Sequence, residues 1–323
     1  MSNTTFMARN APFQRVAVLM GGPSLEREVS LHSGRAVTEG LRQAGYEVSE
    51  VDVKDRTRRP GRTRRPGRTR RPGRTFDLPP QVEAVFITLH GEFGEDGQVQ
   101  DILTRKKVPY TGSRPEASRV AFDKVRSKQI LMRHGIATPA FEVLRPGQVR
   151  TLPLPVVVKP VRQGSSFGCH MVMVEADWPE ALADAMTYNG EVVVEAYIDG
   201  KELTVGIVDK EILPVIEIRA PNSNYDYRAK YTKGVTEYLV PAPLDAAATR
   251  LCQDLSARTY RALDGRGFGR VDLRMSPDGK MYVLELNTIP GFTETSLLPK
   301  AARVAGYAFS ALCDRIIRTA AVD

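Results

Sequence analysis

The chain has 323 residues, too many for one ordinary hydrophobic core, so two or three domains are expected. Apolar residues make up 42% and charged residues 26%, the balance of a water-soluble globular protein, and no apolar run is long enough to span a bilayer. The net charge of +8 invites a nucleic-acid partner, but ten arginines fall between Arg56 and Arg74; without those ten the charge is −2, so the basic excess belongs to one segment and not to the fold.

The polar residues 1–14 lack the apolar core of a secretory signal. Three widely spaced cysteines, Cys169, Cys252 and Cys313, match neither a disulfide framework nor zinc-ligand spacing and read as reduced thiols of a cytoplasmic protein. Residues 15–19 predict a short buried strand, followed by the turn Gly21-Gly22-Pro23-Ser24. Ser24 is placed to cap a helix whose apolar stripe runs through Leu31, Ala36, Val37 and Leu41, with Gly45 at its end. Residues 48–53 alternate as a second strand, and this strand–helix–strand opening implies a parallel sheet.

Arg-Thr-Arg-Arg-Pro-Gly then occurs three times from Arg56 to Gly73, and Arg74-Thr75 starts a fourth copy. Dense like charge with almost no apolar residue cannot offset ordering entropy, so residues 56–75 are expected to be a disordered surface insert. Lengthening a surface loop costs only about 0.6 kcal/mol per doubling, which a fold tolerates. The insert reads as a tandem duplication without function; the alternative is a salt-sensitive tether for a polyanion or membrane surface.

Residues 82–89 predict a buried strand ending at His90-Gly91, ahead of Gly94-Glu95-Asp96-Gly97. A helix is expected over 99–106, Pro109-Tyr110-Thr111-Gly112 closes the first domain, and residues 117–135 read as one helix carrying Lys124 and Lys128. Strands are predicted over 156–159, 171–174 and 192–198, and a helix over 178–187. From Leu203 to Pro241 short strands alternate with turns. A helix over 245–263, strands over 269–275 and 281–287 joined by a Ser-Pro-Asp-Gly turn, and a last helix over 298–320 complete the chain.

Four constellations could carry chemistry. Asp272 lies on one of the last two strands, and Glu285 and Asn287, at i and i+2 on the other, share a face. Two carboxylates and an amide oxygen suit Mg²⁺, although a surface hairpin could carry the same residues. The turn from Asn287 to Gly291 could offer backbone N–H groups to an oxyanion. Gln163-Gly164-Ser165-Ser166-Phe167-Gly168 is either a phosphate cradle or a plain hairpin turn, and Lys159, ending an apolar strand, needs an anionic partner. The aromatic, charged stretch from Tyr225 to Tyr231 has no period. Glu26 and His90 stand at the carboxyl edge of the first sheet, where ligands of open α/β sheets bind, although a lone histidine is more often structural.

In this order the motifs resemble the D-alanine–D-alanine ligases. The similarity rests on the run from Gly21 to Ser30, His90-Gly91 with Gly94 to Gly97, Pro109 to Ser113, Asp123-Lys124, Lys159-Pro160 with Gly164-Ser165-Ser166, Tyr225 to Tyr231, Gly269 to Asp272, and Glu285 to Gly291. It covers residues 16–317 apart from the arginine repeat. The resemblance implies an ATP-grasp fold of α/β class, α+β in its nucleotide-binding part, with an open parallel α/β domain at residues 1–112. A central ATP-grasp subdomain at 113–195 and a C-terminal one at 196–323 would follow. It implies ATP contacts from Lys124, Lys159, Ser166, Lys230, Glu195, Tyr197, Ile198 and Glu202, and two Mg²⁺ or Mn²⁺ on Asp272, Glu285 and Asn287. Glu26 would bind the ammonium of the first D-alanine, and Glu26, Ser165 and Tyr231 would latch a loop over the site. Arg270 and the Gly291 N–H would stabilise the tetrahedral intermediate. His90 would line the substrate site, and Ser296 with the Leu297 N–H would hold the second carboxylate. ATP would convert one D-alanine to an acyl-phosphate for attack by the other, in a cytoplasmic homodimer without a specific nucleic-acid or membrane partner. D-lactate or D-serine as second substrate is the alternative, and Tyr231 favours the dipeptide. The sequence departs from the family where Ser-Pro-Gly-Met-Thr is usual: here it is Ile289-Pro290-Gly291-Phe292-Thr293, beside the implied second-substrate position.

Overall fold

The computed structural model describes residues 11–54, 76–220, 235–293 and 295–322. The arginine repeat and the stretch containing Lys230 and Tyr231 lie outside the described residues. Among the described residues no helix is long and apolar enough to cross a membrane.

The first sheet is parallel, in the order β2-β1-β3, with β1 at Arg15–Gly21, β2 at Glu47–Val53 and β3 at Ala84–Ile87. Alternation along β1 sends Val16, Val18 and Met20 into one cluster with Val37 and Leu41 of helix α1, Arg27–Gln43. Ala17 and Leu19 face a second cluster with Val99 and Leu103 of α2, Gln98–Arg105. Both faces are therefore covered, as a parallel sheet requires. Ser24 does not cap α1 as expected: Glu26 occupies the cap position without a side-chain bond, and the Ser24 hydroxyl donates to the His90 carbonyl at 2.7 Å. The hydroxyl oxygen accepts from the Glu26 N–H at 3.2 Å, closing the turn before the helix starts, while its proton ties the two loops together. Gly45, at φ +97°, follows the last helical turn in the left-handed conformation expected of it.

The helix expected over 117–135 is two helices, α3 at Pro115–Phe122 and α4 at Lys124–Arg133. They break at Asp123, whose carboxylate accepts from the Val125 and Arg126 N–H groups at 3.1 and 3.0 Å and so starts a new helix. The apolar stripe runs through both, Val120 and Ala121 with Leu131, and conceals the break.

A second, antiparallel sheet has the order β4-β7-β5-β6. It contains β4 at Phe141–Leu144, β5 at Val156–Pro160, β6 at His170–Val172 and β7 at Val192–Ala196. Strand β4 has no counterpart in the expected elements. Helix α5, Trp178–Asn189, buries Ala181 and Ala185 against Val156, Val158 and Val194.

The third sheet is antiparallel in the order β10-β9-β8-β11-β12. The short strands expected after Leu203 are instead two long ones, β8 at Lys201–Val208 and β9 at Glu211–Arg219, followed by β10 at Glu237–Leu239. Strands β11 at Phe268–Met275 and β12 at Met281–Asn287 lie where the sequence put them, and α6, Ala246–Ala262, packs on the sheet. The last helix is again two, α7 at Leu297–Val304 and α8 at Phe309–Ile317, with Gly306 at φ +94° between them. Helix α8 returns to the first sheet: Leu312, Cys313, Ile316 and Ile317 join Val37 and Leu41, and the Tyr46 hydroxyl donates to Asp314 at 2.6 Å.

The contact between α1 and β1 is close enough to test. A Cβ on Gly34 would lie 2.5 Å from Met20 Cβ, an atom that cannot move without the backbone. Helix propensity alone favours Gly→Ala by about 1 kcal/mol; overpacking costs about 1–3 kcal/mol. Gly34→Ala is therefore expected to lower stability in urea titrations, and a gain would show that α1 can lift from the sheet.

Candidate active site

The ends of the three sheets surround two adjoining cavities, of about 150 and 580 Å³. Antiparallel register pairs Asp272 with Glu285 and Arg270 with Asn287 across β11 and β12, so period-2 alternation projects all four from one face. The Arg270 guanidinium grips Asp272 through two bonds of 2.8 and 2.7 Å, and the Thr204 hydroxyl donates to Asp272 at 2.5 Å. Glu285 lies 3.7 Å from Lys124 Nζ, and Asn287 Oδ1 accepts from the Ile289 N–H at 3.1 Å. Among the described residues no three His, Cys, Asp or Glu side chains converge as a metal site. Two carboxylates and an amide oxygen on one face are the donor types that suit a hard cation completing its coordination with phosphate oxygens, and Arg270 occupies both oxygens of Asp272 in this structure.

The smaller cavity is a slot with apolar walls from Val157, Met171 and Leu284. At its rim the Tyr197 N–H donates to Pro155 at 3.1 Å and the Ile198 carbonyl accepts from Arg274 at 3.0 Å. Among the described residues, the Tyr197 carbonyl and the Ile198 N–H have no backbone partner and remain as an acceptor and a donor. Arg274 also reaches Glu202 at 3.1 Å and the Tyr197 hydroxyl at 3.2 Å, fixing the segment that joins the second and third sheets. Two members of a charged triad, Lys159 and Glu195, line the slot, and the third, Lys128, stands behind them. Glu195, 2% exposed, receives Lys159 at 2.8 Å on one oxygen and Lys128 at 3.0 Å on the other. Burial raises the Glu195 pKa, but the two ammonium groups outweigh it and hold the carboxyl at about 2. Burial likewise opposes the charge on Lys159, and Glu195 overcomes it, holding this lysine above its ordinary range. Lys128 also donates to Thr138 at 2.6 Å.

The two cavities share Lys124, Gln163, Gly164, Ser165 and Glu285. Lys124 donates to the Gln163 carbonyl at 2.7 Å, which fixes the turn after β5. Ser165 and Ser166 both adopt left-handed backbone, at φ +49° and +59°, an uncommon conformation away from glycine that a packed surrounding must hold in place. Part of that surrounding is Glu26: its carboxylate accepts from the Ser165 hydroxyl.

The larger cavity is lined by Glu26, His90, Glu95, Arg270, Gly291, Ser296 and Leu297, among others. Ser296 precedes α7, accepts from the Thr293 N–H at 3.1 Å, and leaves the first-turn N–H groups of the helix, beginning with Leu297, without helical acceptors. A Cβ on Gly291 would lie 3.2 Å from the Ser296 hydroxyl, so these two positions adjoin. Buried His90 bonds the Ile289 carbonyl through Nδ1 at 3.0 Å and the Ser33 hydroxyl through Nε2 at 3.2 Å. The Phe292 N–H donates to the same Ser33 oxygen at 3.1 Å. A neutral ring donating to Ile289 and accepting from Ser33 satisfies every member. Burial first, with Arg270 adding to it against the Ile289 bond, lowers the His90 pKa to about 4. His90 thus joins the first domain to the turn that carries Gly291.

Three residues to which the sequence reading gave no role belong to this arrangement. Glu95 accepts from the Gly91 N–H at 2.6 Å, and burial, followed by the Glu26 charge, pushes its pKa well above the usual carboxylate range. Its signal was its place in the Gly94 to Gly97 motif. Lys128 and Arg274 gave no comparable signal, because their partners are distant in sequence. Lys230 and Tyr231 lie outside the described residues.

Two family models match the chain: "D-ala D-ala ligase N-terminus" over residues 15–113 and "D-ala D-ala ligase C-terminus" over residues 130–318. The chain is 44% identical to a D-alanine–D-alanine ligase of Syntrophotalea carbinolica over 317 residues, covering 96% of this chain and 97% of that one. It is 42% identical to one from Methylacidiphilum infernorum, covering 94% of each. Among solved structures, the D-alanine–D-alanine ligase of Bacillus anthracis complexed with ATP superposes with a TM-score of 0.77 at 31% identity, over 95% of this chain and 97% of that one. The VanG D-Ala:D-Ser ligase of Enterococcus faecalis gives 0.78 at 29% identity, over 94% and 98%.

Two outcomes follow from the geometry. A Cβ on Gly164 would meet Glu26 Oε2 at 2.7 Å, so Gly164→Ala should push the Glu26 carboxylate off the Ser165 hydroxyl and reduce turnover by about a hundredfold while the protein stays folded. Near-normal turnover would show the turn to be tolerant. The second concerns pH. The folded His90 pKa of about 4 lies below its unfolded value, so its contribution is complete at neutral pH and is lost as pH falls from the unfolded value towards 4. That window corresponds to about 3 kcal/mol. The stability difference between the protein and His90→Gln should shrink by about that amount between pH 7 and pH 4 in urea titrations. A pH-independent difference would show His90 not to be buried as the neutral ring.

Proposed function

Because the chain belongs to the D-alanine–D-alanine ligase family, we infer that it joins two D-alanines into D-alanyl-D-alanine with ATP, as a step of peptidoglycan precursor synthesis. The observation that carries the reading at the level of residues is the meeting of the two cavities at Lys124, the Gln163–Ser165 turn and Glu285. A phosphate held in the slot and a carboxylate held in the larger cavity come together there.

A carboxylate resists amine attack because its oxygen is a poor leaving group. Transfer of the ATP γ-phosphoryl to the first D-alanine makes an acyl-phosphate and replaces that leaving group with phosphate. Adenine fits the apolar slot, with its edge on the Tyr197 carbonyl and Ile198 N–H and the ribose near Glu202. Glu195, which lines the slot and fixes Lys159, would read adenine with them. Lys124, Lys159, Ser166 and Lys230 approach the phosphates. Asp272, Glu285 and Asn287 would hold two Mg²⁺ or Mn²⁺, whose charge would neutralise phosphate oxygens during transfer. Glu26 receives the ammonium of the first D-alanine. The second D-alanine, held by Ser296 and the Leu297 N–H with His90 lining the site, attacks the acyl carbon as a free amine. Arg270 and the Gly291 N–H face the oxyanion that forms. Acyl-phosphates hydrolyse, so water must be excluded, and Tyr231 joining Glu26 and Ser165 would close the site. This reading places the enzyme in the cytoplasm, where ATP is available, as a homodimer, and it invokes neither a membrane nor a nucleic acid. It retains the three-part division at residues 1–112, 113–195 and 196–323.

The test is phosphate release from ATP on adding D-alanine with Mg²⁺, with the dipeptide identified by mass spectrometry and D-lactate, D-serine and L-alanine run alongside. Absence of D-alanine-stimulated release would refute the reading. Glu285→Ala is expected to lose about a hundredfold or more in kcat, and an unimpaired variant would remove Glu285 from the metal set. Deleting residues 56–75 should leave turnover unchanged; a folded but inactive deletion would give the arginine repeat a catalytic role.

A further inference from the structure

The larger cavity carries a cation that the mechanism above leaves unused. Lys300 lines it together with Ser296 and Leu297 and is absent from the walls of the nucleotide slot. On α7 it stands four residues after Ser296, one helical turn further along the same face. Its Nζ lies 4.3 Å from the centre of the Tyr238 ring, a side chain that also lines the cavity. Burial, and then the like charge of Arg303, push its pKa below the usual lysine range, and no carboxylate among the described residues opposes them. The described cationic groups nearer the phosphate end already have roles in the reading above: Arg270, which holds Asp272, faces the oxyanion, and Lys124, beside Gln163 and Glu285, faces the phosphates. An ammonium seated on an aromatic ring at a cavity wall, beside the N-terminus of a helix, is set up to receive an anion.

We propose that Lys300 is a specificity-determining residue that pairs with the carboxylate of the acceptor D-alanine, adding a full charge to the contacts from Ser296 and the Leu297 N–H. The inference rests on the ligase reading. The donor carboxylate must lie at the shared phosphate end, which leaves the acceptor's carboxylate as the substrate anion within reach of Lys300. The acceptor amine is then aimed by its own opposite end, and an acceptor without a carboxylate loses the strongest of its three contacts.

The experiment compares the full chain with K300M, K300R and K300Q. Acceptor and donor KM values come from two-site fits, and competition is run in mixtures of D-alanine and D-alaninamide. The amide cannot be phosphorylated at its carboxyl and so reports on the acceptor site alone. K300M and K300Q are expected to raise the acceptor KM about tenfold, the scale of one charge-assisted contact, with donor KM and melting temperature little changed. The product ratio of dipeptide to dipeptide amide should fall by a similar factor, and K300R should restore most of both. An acceptor KM unchanged in K300M and K300Q would overturn the proposal. So would a rise that K300R fails to reverse, because that would mark a packing role on Tyr238. Failure of the unaltered chain to ligate D-alanine would count against the ligase reading; normal ligation with unaffected variants would count against Lys300 alone.

Discussion

The pairing register of β11 with β12 is the constraint on which the site depends. It sets Asp272 opposite Glu285 and Arg270 opposite Asn287, on one face of the third sheet. A slip of β12 by one residue would turn Glu285 and Asn287 into the apolar core and bring Leu286 out. The register is secured by that core: Val271, Leu273, Val283 and Leu286 are buried in the cluster beneath α6 and α4. The hydrophobic pattern that folds the sheet is thus the same pattern that orients the polar face.

The charges around that face hold one another in place. Asp272 is fixed by Arg270 and Thr204, and Glu195 by two lysines. Taking ions out of water is costly, and a buried ion cluster gains little net stability over apolar packing. Its value here is geometric. Lys159 is kept charged and fixed in direction at the edge of the slot by a carboxylate that is itself held by Lys128. Lys128 in turn sits against Thr138 and the Phe141 ring. A phosphate bound there, as proposed, would meet an ammonium already oriented, with little reorganisation left.

The sequence showed the parts of this arrangement that depend on local period. Asp272, Glu285 and Asn287 could be placed on one face because strands alternate every two residues, and β11 and β12 lie where the apolar runs put them. The break at Asp123 was hidden because the apolar stripe continues unshifted through α3 and α4, and only the Asp123 cap separates them. Strand β4 was missed because Phe141–Leu144 is four residues long and earns its strand character from pairing with β7, some fifty positions later. The roles of Lys128 and Arg274 were beyond period and spacing, since each is defined by partners that only the packed sheets bring near; Glu95, bonded to nearby Gly91, was visible only as a member of its motif.

The Gln163–Ser166 turn connects these layers. Its two left-handed serines would be unfavourable in isolation, and the bonds that hold them come from different parts of the chain. Lys124, at the start of α4, grips the turn's backbone, and Glu26, after β1, grips its hydroxyl. Glu26 in turn stands in a loop that Ser24 ties to His90, and His90 is bonded to the turn preceding α7. A displacement of the phosphate-facing turn is therefore opposed through a continuous chain of hydrogen bonds that ends at Ile289 and Phe292, beside Gly291. Coupling of this kind needs no moving part. It follows from the links forming one connected network, so that the two cavities keep one relative position, which the proposed transfer of a phosphoryl group between them would require.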